Sequence, residues 1–237
     1  MFLSATEAVR RRQSTSIGQI ATIVIAISYL LTDSVYSPRR NFDLTPPAKN
    51  YTAPPFAANS STPSYGGADI LLDFITKDVN SFMFSSVFPH VTVNQSALFG
   101  HSYGGLSALH SLYTAPASFD AYLAASPSIW WNNRYLLQEE KRFTQAPAPR
   151  NLPDVWLSYG TLEQHPIRQR GETKEAFEKR VKEAEYLRMG DNVEELYSRL
   201  GRSNHTKSIE KKVFQDEDHG SVVAGALSGA IYHFLNL

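Results

Sequence analysis

The sequence predicts an α/β fold, with a mostly parallel central sheet and helices on both faces. Three observations carry that expectation. Short β-rich runs alternate with segments of helical spacing along most of the chain, the pattern of a parallel sheet with crossover helices. The apolar run 20–31 is rich in Ile and Val, as a buried parallel strand is. A glycine-flanked turn, Gly100-His101-Ser102-Tyr103-Gly104, joins a β-rich run to a helical one.

Taken in order, residues 1–19 read as a poorly ordered leader, and 20–237 as a single catalytic domain. The apolar run 20–31 follows Arg10, Arg11 and Arg12, but it lies late for a signal peptide. It is also shorter than the roughly 20 residues of a membrane span. Its Ile and Val content favours a buried strand over 21–29. Residues 32–67 are rich in Pro, Asn, Ser and Thr and form a long loop closed by Gly66 and Gly67. Apolar residues at Ile70, Leu71, Phe74, Ile75, Val79 and Phe82 predict a helix over 68–84. Strand 91–98, the turn 99–105 and helix 106–113 follow, then strand 121–125 and helix 135–143. A strand over 154–159 precedes a long charged helical segment, 174–200, broken near Gly190. A last strand over 211–214 and a helix over 220–235 complete the chain.

Composition narrows the chemistry. Lys plus Arg and Asp plus Glu are 23 each, so there is no basic excess to serve a nucleic acid. The absence of cysteine excludes disulfides, a thiolate nucleophile and a Cys-ligated metal.

The turn 100–104 fits G-x-S-x-G between a strand and a helix, the context in which that pattern presents a nucleophilic serine. Glycines two residues either side of Ser102 relieve crowding in a strained turn. The Tyr103 N–H would open the following helix and face a developing oxyanion. A serine hydroxyl needs a base. In this arrangement the order along the chain is Ser, acid, His. His90, His101 and His110 come early or beside the serine, His165 and His205 lie in polar segments, and His233 lies inside the last helix. His219 follows the last strand and opens the last helix, and is the expected base. Glu163 follows strand 154–159 and is the expected acid, with Asp191, Asp216 and Asp218 as rivals. The second oxyanion donor would be the backbone N–H of Tyr29 or Leu30, after strand 21–29.

The chain resembles the esterase family of the α/β-hydrolase superfamily, in its siderophore esterase branch. The matching segments are Arg39 to Pro46, Gly66-Gly67-Ala68-Asp69, Gly100 to Leu106, Ser126-Pro127-Ser128-Ile129-Trp130-Trp131, Gly160-Thr161-Leu162-Glu163 and Asp218-His219-Gly220-Ser221, in the family's order. The resemblance implies catalysis by Ser102 and His219, and allows a site without an acid member. It places Arg39 and Arg40 at the mouth of the site to meet an anionic iron chelate, and lets one of Trp130 and Trp131 wall the acyl pocket. It implies a small-molecule ester substrate, an iron siderophore of hydroxamate or catecholate type with trilactone or other ester links. It implies no cofactor and no resident metal, since the iron arrives with the substrate, and a cytoplasmic setting away from membranes. Oligomeric state is left open. The family has further strands before the one at 21–29, and the residues preceding it here do not read as strands, so a sheet lacking its N-terminal strands is expected. The alternatives are a general carboxylesterase or acyltransferase on small esters, and a shortened, inactive chain that binds a ligand.

Overall fold

The computed structural model describes residues 2–13, 21–29, 37–55 and 64–237. Helix α1 (Phe2–Gln13) and a short α2 (Arg39–Asp43) precede α3 (Ala68–Asp73), which runs on through π-helical turns at Phe74–Val79 and Met83–Val87. Then come β1 (Ala97–His101), α4 (Tyr103–Thr114), β2 (Ala121–Ala125), α5 (Leu136–Gln145) and β3 (Asp154–Gly160). The chain closes with α6 (Lys174–Leu187), α7 (Met189–Leu200), β4 (Ser208–Phe214) and α8 (Val222–Phe234). The four strands form one parallel sheet in the order β1-β2-β3-β4.

Strand pleating sends alternate residues to opposite faces. Tyr122, Ala124, Val155 and Leu157 pack under α4 and α7, against Leu106, Leu109, Leu112, Val193 and Leu196. Ala121, Leu123, Ala125 and Trp156 face the other way, onto Val222, Ala226 and Ala230 of α8. Gly229 lets α8 approach closely: a Cβ there would stand 3.0 Å from the Trp156 ring. The sheet is therefore covered on both faces; β1 and β2 end together, and β3 and β4 run two residues further, to Gly160 and Phe214. His101 pairs with Ala125, and Ala125 with Ser158.

Several expected elements are corrected. Residues 21–29 form no strand, and Ile23, Ile25 and Ile27 are exposed rather than buried. An Ile/Val run is only a propensity for pairing, and here it finds no ladder among the described residues. β1 is confined to 97–101, and 91–96 is irregular. The leader over 1–19 holds α1, which packs on α8 with Ala5 and Val9 buried. The break in 174–200 falls at Arg188, in a left-handed conformation at φ 47°, two residues before Gly190. Among the described residues, no helix is long and apolar enough to cross a membrane.

Candidate active site

At the carboxyl end of β1 the chain reverses sharply into α4. Ser102 has φ 62° and ψ −120°, a conformation that side chains rarely adopt. Neighbouring backbone holds it there. The Ser102 N–H donates to the Ala125 carbonyl at 3.0 Å, and its carbonyl accepts from Ser128 N–H at 3.2 Å and Leu106 N–H at 3.0 Å. The turn closes only because position 100 has no side chain. A Cβ on Gly100 would stand 2.0 Å from the Gly104 carbonyl oxygen. Gly104 itself has open space, and the second tight position is Gly105, 3.0 Å from the Ala125 carbonyl and from Pro127. The sequence pattern marked Gly104 as sterically necessary; it is Gly105 that packs against the β2 turn.

The turn lifts the Ser102 hydroxyl to 2.9 Å from Nε2 of His219. Nδ1 of the same ring lies 2.6 Å from Oε2 of Glu163. The other carboxylate oxygen of Glu163 accepts from Ser126 Oγ at 2.6 Å and from the Gly160 N–H at 2.7 Å. Glu163 is buried, whereas the His219 ring is nearly half exposed at 46%. A buried, doubly hydrogen-bonded carboxylate behind a solvent-reachable imidazole fixes the ring with Nδ1–H toward the acid and a lone pair on Nε2 toward the serine. Such a chain can take a proton from the hydroxyl and stabilise the resulting imidazolium. Tyr103 is the first residue of α4, so its N–H has no partner within the helix and lies beside the serine.

His101 lies against the base, with ring centroids 4.6 Å apart. Burial, then the charge of His219, pushes its imidazole down to about 4. Arg40 donates to the His101 carbonyl at 3.5 Å and its guanidinium covers the Tyr103 ring at 5.6 Å. Tyr103 in turn lies 6.0 Å from Trp130. Among the described residues, no cluster of three or more His, Asp or Glu side chains is placed to hold a metal ion.

Residues 31–209 match the family model described as "Putative esterase". The chain belongs to this esterase family. It is 52% identical to the siderophore enterobactin esterase of Emericella nidulans over 240 residues, spanning 100% of this chain and 79% of that one. It is 41% identical to the siderophore triacetylfusarinine C esterase of Aspergillus fumigatus, spanning 99% and 77%. The solved siderophore hydrolase EstA from Aspergillus nidulans superposes with a TM-score of 0.94 at 52% identity, over 99% of this chain and 78% of that one. This member of the family thus shares its α/β-hydrolase-like fold with close relatives.

The expected residues separate into those brought together and those not. Ser102, His219 and Glu163 are joined in one hydrogen-bonded row, from the ends of β1, β4 and β3. The rival carboxylates are engaged elsewhere: Asp191 with Gln164 and Arg188, and Asp218 with the N–H groups of Gly220 and Ser221 that open α8. Asp216 is held by its own N–H on Thr161. Tyr29 is half-buried, and its phenol, bonded to the Asp43 carboxylate, is pushed well up, chiefly by burial. Leu30 lies outside the described residues. Arg39 is exposed and Arg40 half-buried over Tyr103. Trp131 is a correction: at 3% exposed it belongs to the core beneath Tyr51 and Tyr65, because its ring turns inward from the Ser126–Arg134 turn. Trp130 is the indole left facing the site. Sequence reasoning missed three neighbours. Ser126 and Ser128 stood in a recognised segment without a role, yet Ser126 holds Glu163, and Ser128 Oγ is 3.5 Å from Ser102 Oγ. His101 comes too early in the chain to read as the base, and only folding brings it to His219.

Proposed function

We propose that this protein is a serine esterase that opens the ester bonds of a ferric siderophore through an acyl-enzyme. The observation that carries the reading is the unbroken row from Ser102 Oγ through His219 to the buried Glu163. Ser102 Oγ attacks the ester carbonyl as its proton passes to His219 Nε2. The Tyr103 N–H, with that of Tyr29 or Leu30, receives the oxyanion. Collapse of the tetrahedral species breaks the C–O bond, and His219 returns the proton to the departing alcohol. Water then repeats the sequence, with His219 taking its proton and giving it to Ser102 as the acid is released. Glu163 holds the ring and its charge throughout.

Relatives named for enterobactin and triacetylfusarinine C esterase activity support a siderophore as the substrate. Arg40 at the mouth offers a cation to an anionic chelate, and Trp130 and Tyr103 offer aromatic surface. The test is hydrolysis of ferric trilactone siderophores and p-nitrophenyl acetate by the purified chain beside Ser102→Ala. Siderophore turnover that disappears in the variant is expected. Turnover of the aryl ester alone would move the reading to a general carboxylesterase. No turnover of either by a folded chain would overturn it.

A further inference from the structure

The turn after β2 contains a feature that the catalytic row does not use. Asn132, Asn133 and Arg134 are three consecutive residues with positive φ, at 49°, 54° and 62°. Left-handed backbone is costly for residues other than glycine, and it persists only where surroundings enforce it. Asparagine is among the residues that tolerate it best. At Asn132 the enforcement is visible. Its Oδ1 accepts from the Thr52 N–H at 2.8 Å, and its Nδ2 donates to the Asn50 carbonyl at 2.9 Å. One amide thus closes a two-bond pairing with backbone 80 residues away, as a neighbouring strand would.

What is held there is the middle of the segment that follows α2. Between the two clamped residues, Tyr51 lays its ring 5.8 Å from Trp131 and 5.3 Å from Tyr65. Its hydroxyl accepts from the Ala48 N–H, and it fills the place a side chain on Gly66 would take, 2.3 Å from that Cβ. Trp131 is joined in the chain to Trp130, whose ring lies 6.0 Å from that of Tyr103. Tyr103 adjoins Ser102 and faces Trp130. A run of aromatic rings therefore leads from the clamped segment to the nucleophile.

We propose that Asn132 is a specificity-determining positioning residue, whose amide holds Asn50–Thr52 against the Trp130–Trp131 turn so that the rim of the site fits a bulky ester. Asn132 touches no reacting atom. It sets the wall against which the large remainder of the substrate lies, while a small ester needs only Ser102, His219 and the oxyanion donors. The specificity role rests on the siderophore reading above.

Two variants test it. Asn132→Gly keeps the left-handed backbone free of strain and removes both bonds. Asn132→Asp keeps an acceptor for Thr52 and loses the donor to Asn50. For Asn132→Gly, KM for a ferric trilactone rises about tenfold with kcat within about twofold, a loss of binding shared by ground and transition states. Its constants for p-nitrophenyl acetate stay within about twofold, and the Thr52 amide exchanges at least about tenfold faster as the segment opens locally. Asn132→Asp lies between this and the wild type. Equal losses on both esters, or an unchanged trilactone KM with faster Thr52 exchange, overturn the specificity role. Unchanged exchange overturns the clamp itself. A wild-type chain that turns over the acetate but no trilactone overturns the siderophore reading and the specificity role with it, and Thr52 exchange still decides whether Asn132 holds the segment.

Discussion

Glu163 shows how one side chain serves two purposes. Oε1 is used up by Ser126 Oγ and the Gly160 N–H, which leaves Oε2 alone to face His219 Nδ1. The carboxylate cannot rotate without breaking both support bonds, so the imidazole tautomer is fixed by hydrogen bonds two steps removed from the substrate. Glu163→Gln keeps an oxygen for Ser126 and Gly160 and turns an amide NH₂ toward Nδ1. That donor forces the proton of the neutral ring onto Nε2, where a lone pair is needed. The expected result is a fall in kcat of roughly 10⁴-fold with little change in KM, by the logic of an acid-to-amide change in a serine triad. Steady-state kinetics on p-nitrophenyl acetate measures it; a variant within about tenfold of wild type would mean that Ser102 and His219 work without the acid. Ser126→Ala removes one of the two supports and is expected to lower kcat by about tenfold, far less than the loss at Glu163 itself.

At the level of elements, the turn between β1 and α4 separates what a motif says from what packing requires. Gly100→Ala places a methyl 2.0 Å from the Gly104 carbonyl, in backbone that cannot yield, so the chain is expected to lose soluble, folded protein. Gly104→Ala meets nothing within 4 Å and lies inside α4, where alanine is favoured over glycine by up to about 1 kcal/mol. It is expected to fold with an unchanged or higher Tm, and a loss of Tm there would contradict the open space at this position. The same distinction explains which elements were legible. β2 is a continuous apolar run, β3 carries Val155-Trp156-Leu157 at its centre, and α4 and α8 are mostly small and apolar residues, so burial is written into their own composition. Ser102, Glu163 and His219, the residues of the hydrogen-bonded row, were legible because they stand in the turns that follow β1, β3 and β4, where the topology of a parallel sheet gathers side chains. Residues 21–29 have the same Ile/Val content as a buried strand, but a strand exists only by pairing, and no local pattern names the partner. α1 was missed for the converse reason. Among its described side chains Ala5 and Val9 are buried, and they pack on α8, more than 200 residues away. Asn132 and His101 have significance only through contacts across 80 and 118 residues of chain.

Across the whole molecule, two histidines, His101 half-buried and His110 buried, act on stability from opposite sides of neutrality. His101 is held neutral, down to about 4 from an ordinary 6.5, by burial first and then by the charges of His219 and Arg40, against the pull of Glu163. Between those values the unfolded chain binds a proton that the folded chain refuses. Stability is thus highest above 6.5 and falls as pH drops toward 4, at up to roughly 1.4 kcal/mol per pH unit. His110 is the reverse. Burial opposes its charge, but Glu139 of α5 at Nδ1 and Asp69 of α3 at Nε2, each 2.8 Å away, outweigh burial and raise its pKa. Its contribution is complete below 6.5 and is lost as pH rises through the raised value. Because Asp69 is 60% exposed and Glu139 only 4%, the pair that matters is His110 with Glu139, which ties α4 to α5. His110→Leu strands a buried carboxylate and should cost about 3–5 kcal/mol, whereas His110→Leu with Glu139→Gln removes both charges and should cost less. Thermal unfolding followed from pH 4 to 9 separates the two effects. His101→Gln should flatten the acid limb relative to wild type, and the paired variant the alkaline limb. A paired variant as unstable as His110→Leu alone would show that the imidazole's packing, not its charge, joins α4 to α5.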